Sequence, residues 1–133
     1  MIVIDASALA SYSLREEGSE PIRILLERGA VSIDLVVKES CNAVLLAHRR
    51  GLINAEQSRR VLKVLLMLAD TNVKMYPQRD LIEDAFRIAS ENNVTIYDTL
   101  YLALAKKLGA TLLSKDAKQI EVAKRVGVKT VPF

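Results

Sequence analysis

The sequence predicts an α/β domain of three layers, with helices on both faces of a mostly parallel central sheet. Three observations lead there. Short β-branched runs alternate with longer segments of helical period from one end of the chain to the other. The strand candidates are short and mostly apolar, as strands buried on both faces are. The length of 133 residues, with 50% hydrophobic residues but only five Gly and three Pro, suits one core; a chain of this size buries roughly 70% of the surface it exposes when unfolded. A single domain over residues 1–133 is therefore expected, and disorder, collagen-like repeats and a multidomain enzyme are excluded.

Taken in order, Ile2-Val3-Ile4 reads as the first strand, followed by helices over 8–14 and 20–28. The apolar stretch 30–33 is a second strand, leading into a helix over 36–50 that Gly51 closes. Asn54 can cap a helix over 55–69. Residues 73–76 are the third strand, with helices over 80–91 and 98–108 after it. A strand at 111–113, a helix over 117–126 and a final strand at 129–131 complete the alternation. Ligands of such open sheets bind beyond the carboxyl ends of the strands.

Composition removes several chemistries. Cys41 is the only cysteine, so no internal disulfide forms, and with His48 as the only histidine no four-ligand Cys/His zinc site can be assembled. The central apolar run 64–69 is far short of the roughly 18 residues that span a bilayer. The start Met1-Ile2-Val3-Ile4-Asp5 lacks the basic segment of a signal peptide. A soluble protein of the reducing cytoplasm is expected. Nineteen Lys and Arg against sixteen Asp and Glu give a net charge of +3, a mild tilt toward anionic partners.

Four acids stand where acids are costly. Asp5 follows a strand expected to be buried, and Asp116 closes Thr111-Leu112-Leu113-Ser114-Lys115 in the same way. Each has a plain reading as a helix N-cap, and Asp116 with Gln119 has capping-box spacing. Glu39 lies at the edge of the core-facing stripe marked by Val36, Val37, Ala43, Val44 and Ala47. A carboxylate there needs a partner, either a cation from another helix or a metal. Asp98 opens Asp98-Thr99-Leu100-Tyr101-Leu102-Ala103-Leu104-Ala105, a helix apolar nearly all round; Tyr101, Leu102 and Ala105 share its face. Clustered carboxylates raise one another's pKa unless a cation neutralises them. Oxygen-only ligands suit Mg²⁺ or Mn²⁺, which lower the pKa of a water and stabilise charge on a phosphoryl group. Phosphodiester hydrolysis is the implied chemistry, and Ser7 and Ser114 offer hydroxyls to orient the carboxylates.

These residues resemble the PIN-domain family of metal-dependent ribonucleases, most closely its VapC-like members, the toxin halves of type II toxin–antitoxin pairs. The resemblance runs nearly end to end. It is carried by Ile2-Val3-Ile4-Asp5-Ala6-Ser7, by Asp34-Leu35-Val36-Val37-Lys38-Glu39 with Asn42-Ala43, by Ile96-Tyr97-Asp98 through Ala105, and by Leu112-Leu113-Ser114-Lys115-Asp116. It implies a PIN-like α/β/α fold and an acidic quartet at Asp5, Glu39, Asp98 and Asp116 that holds Mg²⁺ or Mn²⁺ and hydrolyses RNA. Ser114 stands where the family commonly has Thr, which keeps the hydroxyl. Asp34 also matches a frequent family position, with a turn or cap as its expected role.

An RNA substrate calls for positive charge near the acids, and Lys115 and Lys118, flanking Asp116, are the expected phosphate contacts. The helix carrying Val61, Leu62, Val64, Leu65, Leu66, Met67 and Leu68 is apolar on almost every side, which points to a second copy of the chain or a small antitoxin protein covering it. Competing readings are an RNA-processing nuclease without an antitoxin, a catalytically silent RNA-binding module, and a phospho-accepting receiver domain. Receivers place their accepting Asp after the third strand, where this chain has Pro77.

Overall fold

Residues 1–132 are described by a computed structural model, in which Ile2–Ile4 (β1), Ala30–Ile33 (β2), Val73–Tyr76 (β3) and Thr111–Leu113 (β4) form one all-parallel sheet in the order β3-β2-β1-β4. The chain steps outward from β1 through β2 to β3, then returns across the sheet to β4 on the other side of β1. Crossovers between parallel strands are right-handed. That reversal therefore places α1 (Ala6–Ser13), α2 (Glu20–Glu27), α3 (Leu35–Arg49) and α4 (Ala55–Thr71) on one face, and α5 (Ile82–Asn92) and α6 (Ile96–Leu108) on the other. The packing agrees: α1, α3 and α4 contact one another, while α6 packs on α5 and lies across β1, β2 and β4. Helix α7 (Ala117–Arg125) follows β4. The three-layer α/β/α arrangement expected from the alternating pattern is the one observed.

The core forms where the apolar runs predict it. Val3, Ile4, Ile33, Leu112 and Leu113 are fully or almost fully buried, and α6 is buried at every residue from 99 to 105. Thr99 satisfies its hydroxyl inside that layer by donating to the Ala85 carbonyl of α5 at 2.7 Å. Helix α3 ends as its glycine predicts. Gly51 takes φ +77°, a left-handed conformation, and the Leu52 N–H donates back to the Ala47 carbonyl at 3.0 Å. Asn54 and Gln57 close a reciprocal capping box at the start of α4.

Several expectations are corrected. The last strand, at 129–131, is reduced to an isolated bridge between Leu112 and Thr130; Pro132 has no N–H with which to extend it. After β3, Pro77 is followed by a tight 3₁₀ turn over Gln78–Leu81 before α5 begins, where one helix over 80–91 was expected. Asp34, expected in a turn or cap, stands in the turn after β2 and makes no side-chain cap to α3; its carboxylate accepts the Gln78 N–H at 3.1 Å, tying the exits of β2 and β3 together. The helix carrying Asp98 begins earlier, at Ile96, with Thr95 rather than Asp98 as its N-cap. On α4, Leu65 and Ala69 face inward, but Leu62, Val64, Leu66 and Met67 keep 37–56% of their surface exposed. Among the described residues no helix is long and apolar enough to cross a membrane.

Candidate active site

Parallel register brings the first pair of acids together. Ile4 pairs with Leu113, so Asp5 and Ser114, the next residue on each strand, emerge side by side at the carboxyl edge. The two following helices lead away on opposite sides, and the crevice between β1 and β4 is the topological switch point of the sheet. Asp5 caps α1: its carboxylate accepts the Ala8 N–H at 3.1 Å and the Ser7 hydroxyl at 2.6 Å. Ser7 in turn accepts the Lys115 N–H at 2.9 Å and lies 3.3 Å from the Ser114 hydroxyl, which accepts the Asp116 N–H at 3.0 Å. Two serines thus fasten the β1 exit to the β4 exit. Asp116 is exposed and caps α7 through the Lys118 N–H. The expected capping box with Gln119 does not form, because the Gln119 amide donates instead to the Asp98 carbonyl at 2.9 Å.

The second pair comes from the helices. Glu39, on the half-buried edge of α3, accepts a 2.6 Å hydrogen bond from the Tyr101 hydroxyl of α6. Among the described residues the ion pairs join Arg23 to Glu20 and Glu27, Arg87 to Asp84, and Arg125 to Glu121, each within one helix. The partner of Glu39 is therefore a phenol. Asp98 occupies the first turn of α6, half-buried, where the positive end of the helix favours a carboxylate.

Electrostatics link all four acids. Burial raises the pKa of Asp5 to about 6, with the Asp116 charge adding to the rise and the Ser114 and Ser7 hydroxyls and the Ala8 N–H opposing it. Burial also raises Glu39, opposed by the Tyr101 hydroxyl and reinforced by Asp98. Asp98 is raised by burial and by Asp116, and lowered by Thr95 and by the nearby Lys118. The repulsion runs as a string from Glu39 to Asp98 to Asp116 to Asp5. It is not a closed cage: among the described residues no three His, Cys, Asp or Glu side chains stand close enough to hold a metal ion directly.

Tyr101 is the member of this network to which the sequence assigned no role. It is almost fully buried, and burial together with the Glu39, Asp5 and Asp98 charges keeps its phenol protonated. Its signal was its position three residues after Asp98, on the same helical face. Tyr101→Phe is expected to cost about 1–3 kcal/mol of stability, the worth of a hydrogen bond to a charged group. It should also move the Glu39 pKa further up, measured by NMR titration of the side-chain carboxyl. An unmoved Glu39 would show that the hydrogen bond does not govern its charge. His48 and Cys41 behave as structural residues: the His48 ring contacts the Ile53 carbonyl at 3.1 Å, and Cys41 packs against the core.

The family model of the PIN domain matches residues 2–125. The chain belongs to the PIN-domain family. Curated relatives of this PIN domain include Ribonuclease VapC3 of Pyrobaculum aerophilum, 32% identical over 122 residues that cover 90% of this chain and 92% of that one. Ribonuclease VapC9 of Mycobacterium tuberculosis is 34% identical over 118 residues, covering 89% and 87%. Among solved structures, PAE2754 from Pyrobaculum aerophilum superposes with a TM-score of 0.70 at 22% identity, covering 98% of this chain and 88% of that one. FitAcB from Neisseria gonorrhoeae gives 0.63 at 19% identity, covering 99% and 97%. These two establish a shared fold. The PIN-domain match spans β1 through α7, and so includes all four acids.

Proposed function

We propose that this PIN domain is a divalent-metal-dependent endoribonuclease, the toxin component of a VapBC-type toxin–antitoxin pair. The observation that carries the reading is the crevice between β1 and β4, where Asp5 and Asp116 face one another across a serine clasp and are coupled to Asp98 and Glu39. The names of the curated relatives support the ribonuclease assignment.

The donor set fits Mg²⁺ or Mn²⁺. All four groups offer hard oxygen, they repel one another, and three of them are pushed toward protonation while uncompensated. Spacing too wide for direct chelation by three side chains suits ions that keep several waters, so Asp5, Glu39, Asp98 and Asp116 would bind one or two ions directly or through water. A divalent ion bound there supplies charge stabilisation at the scissile phosphate and acidifies a water. The protein's own contribution is positional. Ser7 and the Ala8 N–H fix the Asp5 carboxylate, Ser114 fixes the turn that presents Asp116, and Tyr101 fixes Glu39. Lys115 and Lys118, both exposed beside Asp116, contact RNA phosphates.

Single-stranded RNA should be cut in Mg²⁺, left intact in EDTA and cut again on Mn²⁺ addition; cleavage that persists in EDTA would overturn the reading. The enzyme works in the cytoplasm, where RNA and a small antitoxin partner are both available. The exposed apolar residues of α4 pair two copies into a homodimer. Sedimentation at micromolar concentration should show a dimer that Met67→Lys converts to monomer, and a wild-type monomer would exclude it.

A further inference from the structure

A cleft of about 410 Å³ opens directly beside the acidic site, between α1 and α3. Its walls are built by helical spacing. Along α3, Glu39 is followed at intervals of four, three and four by Ala43, Leu46 and Arg50, so one face runs from the acidic site to a cation. Ala10 of α1 and Leu14, its C-cap, form the opposite wall, and Ser7, the residue that clasps Asp5, stands at the inner end with Lys115. The cleft is mainly apolar, with Arg50, Lys115 and one acid, Glu16, on its lining, and its volume falls within the range of small-molecule pockets. Ser11 borders it, 3% exposed, with a hydroxyl that has no hydrogen-bond partner among the described residues.

We infer that this cleft is a nucleotide subsite, taking the nucleoside of a single-stranded RNA next to the scissile phosphate. The inference rests on the ribonuclease reading and adds where the substrate lies. The apolar walls of Ala10, Leu14, Ala43 and Leu46 suit the face of a nucleobase by van der Waals packing, which any base can make. Arg50 and Lys115 set two positive charges against the one carboxylate of Glu16, so the rim suits flanking phosphates. Continuity decides between occupants: the cleft shares Ser7 with the acidic site and its α3 face with Glu39, so a strand whose phosphate reaches the acids passes its next nucleotide into it.

The test uses a ladder of single-stranded oligoribonucleotides, each one nucleotide longer than the last, in fluorescence-anisotropy binding to the full chain carrying Asp5→Asn, which blocks turnover. One added nucleotide should tighten binding by roughly tenfold or more. Adding Leu46→Glu, a change at a residue 38% exposed, should erase that step and leave the shorter oligonucleotides unaffected. Retention of the full ladder by the Leu46→Glu variant would overturn the subsite. The same result with loss of binding to an amphipathic apolar peptide would assign the cleft to a protein partner. If wild type neither binds nor cuts RNA, the ribonuclease reading itself fails, and the two failures are thereby distinguished.

Discussion

Asp5→Asn is expected to abolish Mg²⁺-dependent RNA cleavage, by at least about a hundredfold, while leaving the fold intact. The amide keeps an oxygen to accept from Ala8 and Ser7 and removes only the charge. In metal-free buffer the variant should also be the more stable protein at neutral pH. The carboxyl group is 4% exposed, and burial raises its pKa from 3.8 to about 6. The native state therefore binds more protons than the unfolded chain between those values. Stability associated with Asp5 is complete below about pH 4 and falls as pH rises toward 6, a loss on the order of 2–3 kcal/mol. Calorimetry in EDTA should show wild type and variant melting together near pH 4 and separating as pH rises. Mg²⁺ at pH 7 should raise the melting temperature of the wild type and leave the variant nearly unmoved. Equal cleavage by both proteins would remove Asp5 from the site.

Leu102→Ala carries the largest expected cost to stability, about 2–5 kcal/mol. Leu102 is fully buried in the stretch of α6 that lies across β1, β2 and β4, and truncation leaves a cavity there. Alanine is the best helix former, so the loss comes from packing alone. Urea unfolding should show a lowered midpoint with an unchanged slope. An exposed control, Val64→Ala on α4, should stay within about 0.5 kcal/mol. A loss below about 1 kcal/mol at Leu102 would mean that the core closes around the deleted atoms.

The sheet was legible because its strands are short, mostly apolar and separated by helical periods; all four strands from β1 to β4 lie where Ile2, Ala30, Val73 and Thr111 predict them. Burial of Asp5 was legible for the same reason, as an acid placed directly after such a run. The misreadings at the site share one cause, competition for a single backbone or side-chain partner. Thr95 caps α6 and shifts Asp98 into the first turn, and Gln119 leaves Asp116 for the Asp98 carbonyl. The Thr95 cap is local, three residues before Asp98, but no local pattern shows the Gln119 bond, which joins two elements 21 residues apart. The Glu39–Tyr101 bond spans 62 residues, so its partner emerged only when α3 and α6 were brought together by the sheet.

The serine clasp has a consequence for synthesis. Ser7 and Ser114 are 107 residues apart, and the Lys115 N–H reaches Ser7 across 108. A chain made from the N-terminus carries Asp5, Glu39 and Asp98 before β4 exists, and without β4 the Ser114 half of the clasp is missing and nothing positions Asp116. The nascent polypeptide is accordingly an unarmed nuclease on the ribosome. Its competence to cut waits for β4 and for the turn that carries Asp116.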